Sequence, residues 1–198
     1  MRVVGERTGM GLAYTMKVFL DFEASSLSDR SYPIEVAWVF EDGRSESHLI
    51  EPAQGWDDWD DVAQTVHGIE RVKLQTEGTP PHIVANRMVE ALTGHDLFAS
   101  APSWDGKWLS VLLRGAGLPR HALRLRATDE ALREIATDIL RPVVPPDRLE
   151  VEIHNTIVLA TEAKDRQPAH RALADAISEY ETWLRAKQAA CTLILKLT

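Results

Sequence analysis

Cysteine is nearly absent from this 198-residue chain: Cys191 stands alone, so no intramolecular disulfide and no cysteine-rich zinc site is available. That fits a reducing, cytoplasmic compartment. Long apolar runs are missing too. None approaches the ~20 residues that cross a bilayer, so no membrane partner is expected. The segment MRVVGERTGMGLAYT (residues 1–15) has no continuous apolar stretch of the secretory kind. It reads as an N-terminal extension, since Met16 directly precedes the first convincing strand. Basic residues are the minority, 22 against 30 acidic, for a net charge of −8. This argues against tight, salt-driven binding to long duplex nucleic acid, though not against a nuclease. Low-complexity tracts and internal repeats are also lacking.

What is present suits one ordinary domain with a single core: 44% hydrophobic and 26% charged residues. Residues 17–22, KVFLDF, are apolar and β-prone. In YPIEVAWVF, Ile34, Val36 and Trp38 alternate onto one face, and residues 44–50 return after the turn at Asp42-Gly43 to make a hairpin. An acidic, aromatic loop from Trp56 leads to a short helix ending near His67-Gly68. Pro80-Pro81 open a helix to about Leu92. A buried strand is expected over 96–99, a helix over 105–115, a strand around Leu123 and Leu125, and a helix over 128–140 with Thr128 as its N-cap. The stretch 141–166, with Pro142, Pro145 and Pro146, is the least legible, and 142–146 reads as a surface loop. A last helix spans about 170–188, and the β-prone tail 189–198 has no evident place. This order of elements predicts an α/β domain over 16–188, with a mixed central β-sheet flanked by α-helices.

Acids mark the chemistry. Asp21 and Glu23 lie two apart on a strand, so both side chains leave the same face. Alone they are ordinary strand-end acids. Asp105 opens a helix, where it also suits the positive end of the helix dipole. It shares a face with Trp108, Leu109 and Leu112, and an acid on a core-facing side needs a cation or a basic partner. His170 and Asp175 frame the start of the last helix. Five positions apart they diverge by ~140° on an ideal helix, so the histidine precedes the helix proper. Asp175 shares its face with Ala172, Ala176 and Glu179, and the two alanines allow close approach to a sheet. Gathered together, such carboxylates repel one another unless divalent cations sit between them, and such cations act on phosphate esters.

In order and spacing these motifs resemble the DEDDh branch of the DnaQ-like 3′–5′ exonucleases, which have a ribonuclease H-like fold. The resemblance covers roughly residues 16–186. Asp21-Phe22-Glu23 with Leu27 matches the first motif, Trp104-Asp105 the middle one, and His170 with Asp175 the third. His67-Gly68-Ile69 stands where the family carries a turn against the terminal nucleotide. Ala24-Ser25-Ser26 replaces a frequent Thr-Thr-Gly, and Ala101 replaces a frequent asparagine.

The resemblance implies that Asp21, Glu23, Asp105 and Asp175 hold two divalent cations, Mg²⁺ or Mn²⁺, and that His170 is the general base. It implies substrate contacts at Ala24, Ser25, Leu27, His67 and Ile69. The partner would be a single-stranded or short nucleic acid, RNA or DNA, with a free 3′ end. Relatives that work alone are often dimers, which leaves a homodimer open. Lys164, Arg166 and Arg171 flank the histidine and suit phosphate contact, whereas Arg124 and Arg126 read as solvated charge. Trp38, Trp108 and Trp183 are expected in the core. Trp56 and Trp59, amid Asp57, Asp58, Asp60 and Asp61, are poor stacking platforms for a phosphate-bearing chain. The alternatives are a non-catalytic nucleic-acid-binding or scaffolding module that keeps its metal site, and a metal-dependent phosphatase.

Overall fold

A computed structural model describes residues 14–162 and 169–197. The N-terminal extension lies almost wholly outside the described residues, as do Lys164 and Arg166.

The alternating apolar residues of the first third form β1 (Lys17–Ala24), β2 (Pro33–Phe40) and β3 (Ser45–Leu49), an antiparallel meander. β4 (Asp96–Ala99) pairs parallel with β1, and β5 (Leu125–Ala127) parallel with β4, giving a mixed sheet ordered β3-β2-β1-β4-β5. Among the described residues the helices are α1 (Asp61–His67), α2 (Arg71–Glu77), α3 (Pro81–Leu92), α4 (Pro102–Gly115), α5 (Thr128–Leu140), α6 (Pro146–Glu162) and α7 (Ala172–Leu197). No helix among them is long and apolar enough to cross a membrane.

Both faces of the sheet are covered, but with different chemistry. Val18, Leu20, Phe22 and Ala24 of β1 join Val36, Trp38 and Phe40 of β2 beneath α3 and α4. Phe19 and Phe98 turn the other way, onto α5, α6 and α7 through Ala131, Leu132, Ala160, Trp183 and Ala186. Trp38, Trp108 and Trp183 are all core residues, as their spacing predicts.

Several boundaries differ from the sequence reading. Residues 146–162, in the stretch that is least legible from sequence, are helical, and Pro146, expected at the end of a surface loop, stands at the start of α6, where a missing N–H costs nothing. The β-prone tail is the last part of α7, because Leu193 and Ile194 pack on Leu140, Val144 and Ile153, and packing overrides propensity. The helix carrying Asp105 starts a turn earlier, at Pro102. Ala127, not Thr128, is the N-cap of α5, with the Glu130 carboxylate accepting its N–H at 3.3 Å. Leu123 is buried just ahead of β5 rather than in it.

Candidate metal centre

β1 pairs with β4 only from Lys17 to Phe19, yet with β2 over its whole length. Beyond Phe19 its other edge is open, and there Asp21 and Glu23 point to the α7 side, in line with Phe19. Ala37 lies opposite Asp21 in the ladder, and Ala172 and Ala176 of α7 are fully buried. These small residues let α7 approach the strand closely enough for Asp175 to reach the two β1 acids. Oxygen atoms of Asp21, Glu23 and Asp175, all half-buried, lie within 4.8 Å of one another.

Asp105 is brought to the same end of β1 but is not one of those three. Its carboxylate is 2% exposed, in the first turn of α4, and accepts the Ala101 N–H at 3.3 Å. It also accepts from the backbone of Phe22, filling the edge that β4 leaves open.

His170 lies just before α7, exposed, with φ 51°, the one described non-glycine residue in left-handed backbone. Asp175 accepts the Ala169 N–H at 2.9 Å, folding the His170 segment back over the helix start.

The remaining expected positions divide by exposure. Leu27 is 70% exposed, whereas Ser25 is fully buried and Ile69 is 2% exposed, packed with Tyr32, Ile34 and Leu74. Ala24 is buried under α4. The Ser25 hydroxyl accepts the Tyr32 N–H at 3.1 Å, fixing the loop after β1. His67 ends α1, and Gly68, at φ 67°, supplies the left-handed cap. The His67 Nδ1 accepts the Ile69 N–H at 3.0 Å, while its buried Nε2 has no partner among the described residues. Burial lowers the His67 pKa, with the charge of Glu35 acting against it and those of Arg171 and His170 adding to it.

Arg126 is tied to Glu130 and Glu134 and lies over Phe98, while Arg124 is exposed. Trp56 stacks on Tyr32 with ring centres 5.1 Å apart, and Trp59 meets His67 edge-on at 6.1 Å.

Two further acids belong to this neighbourhood. Glu179, one helical turn after Asp175, is 7% exposed and raises the pKa of both Asp21 and Asp105. Its place on the Asp175 face was visible in the sequence; its burial was not. Glu35, 4% exposed on β2, stands opposite Glu23. Its signal was an acid in an otherwise apolar strand.

Electrostatics show what the cluster lacks. Burial first, then the charges of Asp105, Glu23, Asp175 and Glu179, push the Asp21 carboxyl up to about 9. Burial and the charges of Asp175 and Glu35 take Glu23 to about 8, against the pull of Arg171. Burial raises Asp105 to about 7, while its backbone hydrogen bonds act the other way. Carboxylates held this way at neutral pH are short of positive charge. Oxygen donors at this spacing fit a hard divalent cation of the Mg²⁺ or Mn²⁺ type, which would reverse those shifts.

No protein-family model matches the chain, and no curated protein matches it either. Solved structures do. The zinc-bound form of an Escherichia coli ExoI–ssDNA complex aligns with a TM-score of 0.59 at 20% identity, over 87% of this chain and 40% of that one. Exonuclease I from Methylocaldum szegediense gives 0.63 at 18% identity, over 88% and 41%. Escherichia coli exonuclease I with a dA16 oligonucleotide gives 0.62 at 17% identity, over 92% and 43%. This chain thus spans about two fifths of the length of those proteins. At such identities the shared property is the fold, α/β of the ribonuclease H-like type.

Proposed function

We propose that the chain is a metal-dependent 3′–5′ exonuclease of the DnaQ-like, DEDDh kind, removing nucleoside 5′-monophosphates from the 3′ end of single-stranded or short nucleic acid. The observation that carries the reading is the convergence of Asp21, Glu23 and Asp175 within 4.8 Å, from elements distant in sequence. The exonuclease I neighbours, solved with single-stranded oligonucleotides, support it and make single-stranded DNA the first substrate to try.

In this reading Asp21, Glu23, Asp105 and Asp175 hold two divalent cations. Bound there, such ions lower the pKa of a water and offset the charge that gathers on the scissile phosphate. His170, exposed beside the cluster, accepts the proton of the attacking water, a task suited to an imidazole near neutrality. Water oxygen bonds to phosphorus and the bond to the preceding nucleotide's 3′-oxygen breaks. Leu27 offers an apolar contact for the terminal base, and the His67 turn lies under the terminal nucleotide. Burial keeps His67 neutral, so its Nε2 serves as a polar contact rather than a charge.

The test is incubation of 5′-labelled DNA and RNA oligonucleotides of matched sequence with Mg²⁺ or Mn²⁺, beside the Asp21→Ala protein. A metal-dependent ladder shortening from the 3′ end, absent in the variant, is the expected result. Stabilisation by Mn²⁺ with no ladder on either substrate would favour the binding-module reading. Neither ladder nor stabilisation would sink the metal site itself.

A further inference from the structure

The residue expected to act as base, His170, sits in a backbone conformation that a histidine adopts at a cost. Something must hold it there, and the chain is pinned on both sides. Before it, the Ala169 N–H is bound by Asp175 at 2.9 Å. After it, the Arg171 guanidinium forks onto Glu35, with Nε 3.0 Å from one carboxylate oxygen and a terminal nitrogen 2.7 Å from the other. The Ala172 N–H, one of the orphan donors at the start of α7, is bound by Glu35 as well, at 3.0 Å. One side chain on the second strand therefore holds two successive residues that follow the histidine.

Glu35 is an expensive choice for that position. Every residue of β2 is buried, and an Ile or Val would pack there as its neighbours do. A carboxylate at that site must be desolvated, and buried ion pairs are often no more stabilising than apolar residues of similar volume. It also stands directly opposite Glu23 and helps to raise that acid's pKa, adding to the repulsion in the cluster. Stability alone does not account for it. Geometry does: the bidentate fork and the backbone acceptor fix both the position and the rotation of the first turn of α7. That turn carries Asp175 into the cluster and leaves His170 at its mouth.

We propose that Glu35 is a positioning residue, acting through Arg171 and the Ala172 amide to hold His170 and the first turn of α7 in the reactive arrangement. The proposal rests on the exonuclease reading, since the placement of His170 matters only where a water proton is taken up. A displaced base loses rate, not substrate affinity.

The experiment compares wild-type protein with E35Q, R171K, H170A and the E35Q/H170A double variant. Steady-state cleavage of a 5′-labelled oligonucleotide with Mn²⁺ is measured beside Mn²⁺ thermal-shift titration and amide exchange at Ala172 by NMR. E35Q is isosteric, and its melting temperature in metal-free buffer checks that the fold is kept. The substitution should lower kcat by about 10²-fold, the scale of an ångström's misplacement, with KM unchanged and faster exchange at Ala172. R171K keeps the charge but loses the fork, and should show the same pattern more mildly. In the H170A background, E35Q should cost much less than it does in the wild type. E35Q as active as wild type, or its full loss multiplying onto that of H170A, would overturn the proposal. An inactive wild type would sink the exonuclease reading and the catalytic role with it. An active wild type with unchanged exchange in E35Q would sink the clamp alone.

Discussion

Successive residues of β1 face two different environments. Val18, Leu20 and Phe22 point beneath α3 and α4, into a cluster of apolar side chains. Phe19, Asp21 and Glu23 point to α7, and along that face the surroundings change from aromatic to acidic within a few residues. Phe19 meets Trp183 with ring centres 5.9 Å apart, while Asp21 lies in the field of Asp105, Glu23, Asp175 and Glu179. Opposite faces of one strand thus divide the work: one holds the sheet together, the other holds charge under strain. The open edge of β1 past Phe19 makes the division possible, since backbone that β4 does not pair is free to receive Asp105.

Substitution on either face should give opposite results. Asp21→Ala should reduce cleavage by on the order of 10³-fold or more, because several kcal/mol of cation-based stabilisation is lost. The same variant should melt higher than wild type in EDTA, since a buried repulsion is relieved. Leu20→Ala should lose roughly 2–5 kcal/mol of stability by leaving a cavity, yet keep cleavage per folded molecule. Melting curves in EDTA and active-fraction-corrected rates decide it. An Asp21→Ala protein that melts lower in EDTA would mean the acids are compensated without a cation.

His170→Ala tests whether the acidic face has separable parts. The expected loss is roughly 10²–10⁴-fold in kcat, the usual contribution of a general base. The Mn²⁺-induced thermal shift should stay at its wild-type value. Equal loss of metal binding would make the histidine a ligand.

The acidic face also sets a pH dependence that the apolar face lacks. In metal-free protein the Asp21 and Glu23 carboxyls titrate at about 9 and about 8 folded, and near 3.8 and 4.5 unfolded. Between those limits the folded state binds protons that the unfolded state has released. Stability is therefore fully present below about pH 4 and is lost as pH rises towards 9, with a slope set by the protons that the pair binds jointly. The Mn²⁺ shift should grow over the same window, because the ion displaces those protons. Chemical denaturation in EDTA at pH 5, 7 and 9 measures the slope, and Asp21→Asn should reduce it. A stability that rises from pH 5 to 9 would contradict the electrostatics of the site.

The sequence made the two faces of β1 legible, because alternation is local and a period of two is unambiguous. Asp21 with Glu23, and Asp105, His170 and Asp175, could be set in order by their motifs. The mixed sheet, the core tryptophans and the Gly68 cap also followed from pattern. What stayed hidden depends on contacts made at long range. Glu35 looks like any strand acid until α7 folds onto β2 and sets Arg171 beside it. Glu179 was visible on the Asp175 face, but only the approach of α7 to β1 buries it. The helical end of α7 contradicts the β-prone residues Thr192 to Leu197, because Leu193 and Ile194 find their partners on α5 and α6. Helix α6 was masked by the prolines at its start: Pro146, expected to end a surface loop, in fact begins the helix.

The smallest effect concerns two apolar residues that the motifs assign to one role and the structure places in two environments. Ile69 is packed with Tyr32, Ile34 and Leu74, so truncating it damages the fold first and tells little about substrate. Leu27 is 70% exposed in the loop after β1, with few contacts to lose. Leu27→Ala should therefore change stability by no more than about 0.5 kcal/mol. If a terminal base rests on Leu27, KM for an oligonucleotide should rise roughly fivefold, equivalent to about 1 kcal/mol of apolar contact, with kcat unchanged. A KM equal to wild type, at an unchanged melting temperature, would remove Leu27 from the binding surface. The terminal base would then rest on the His67 turn alone.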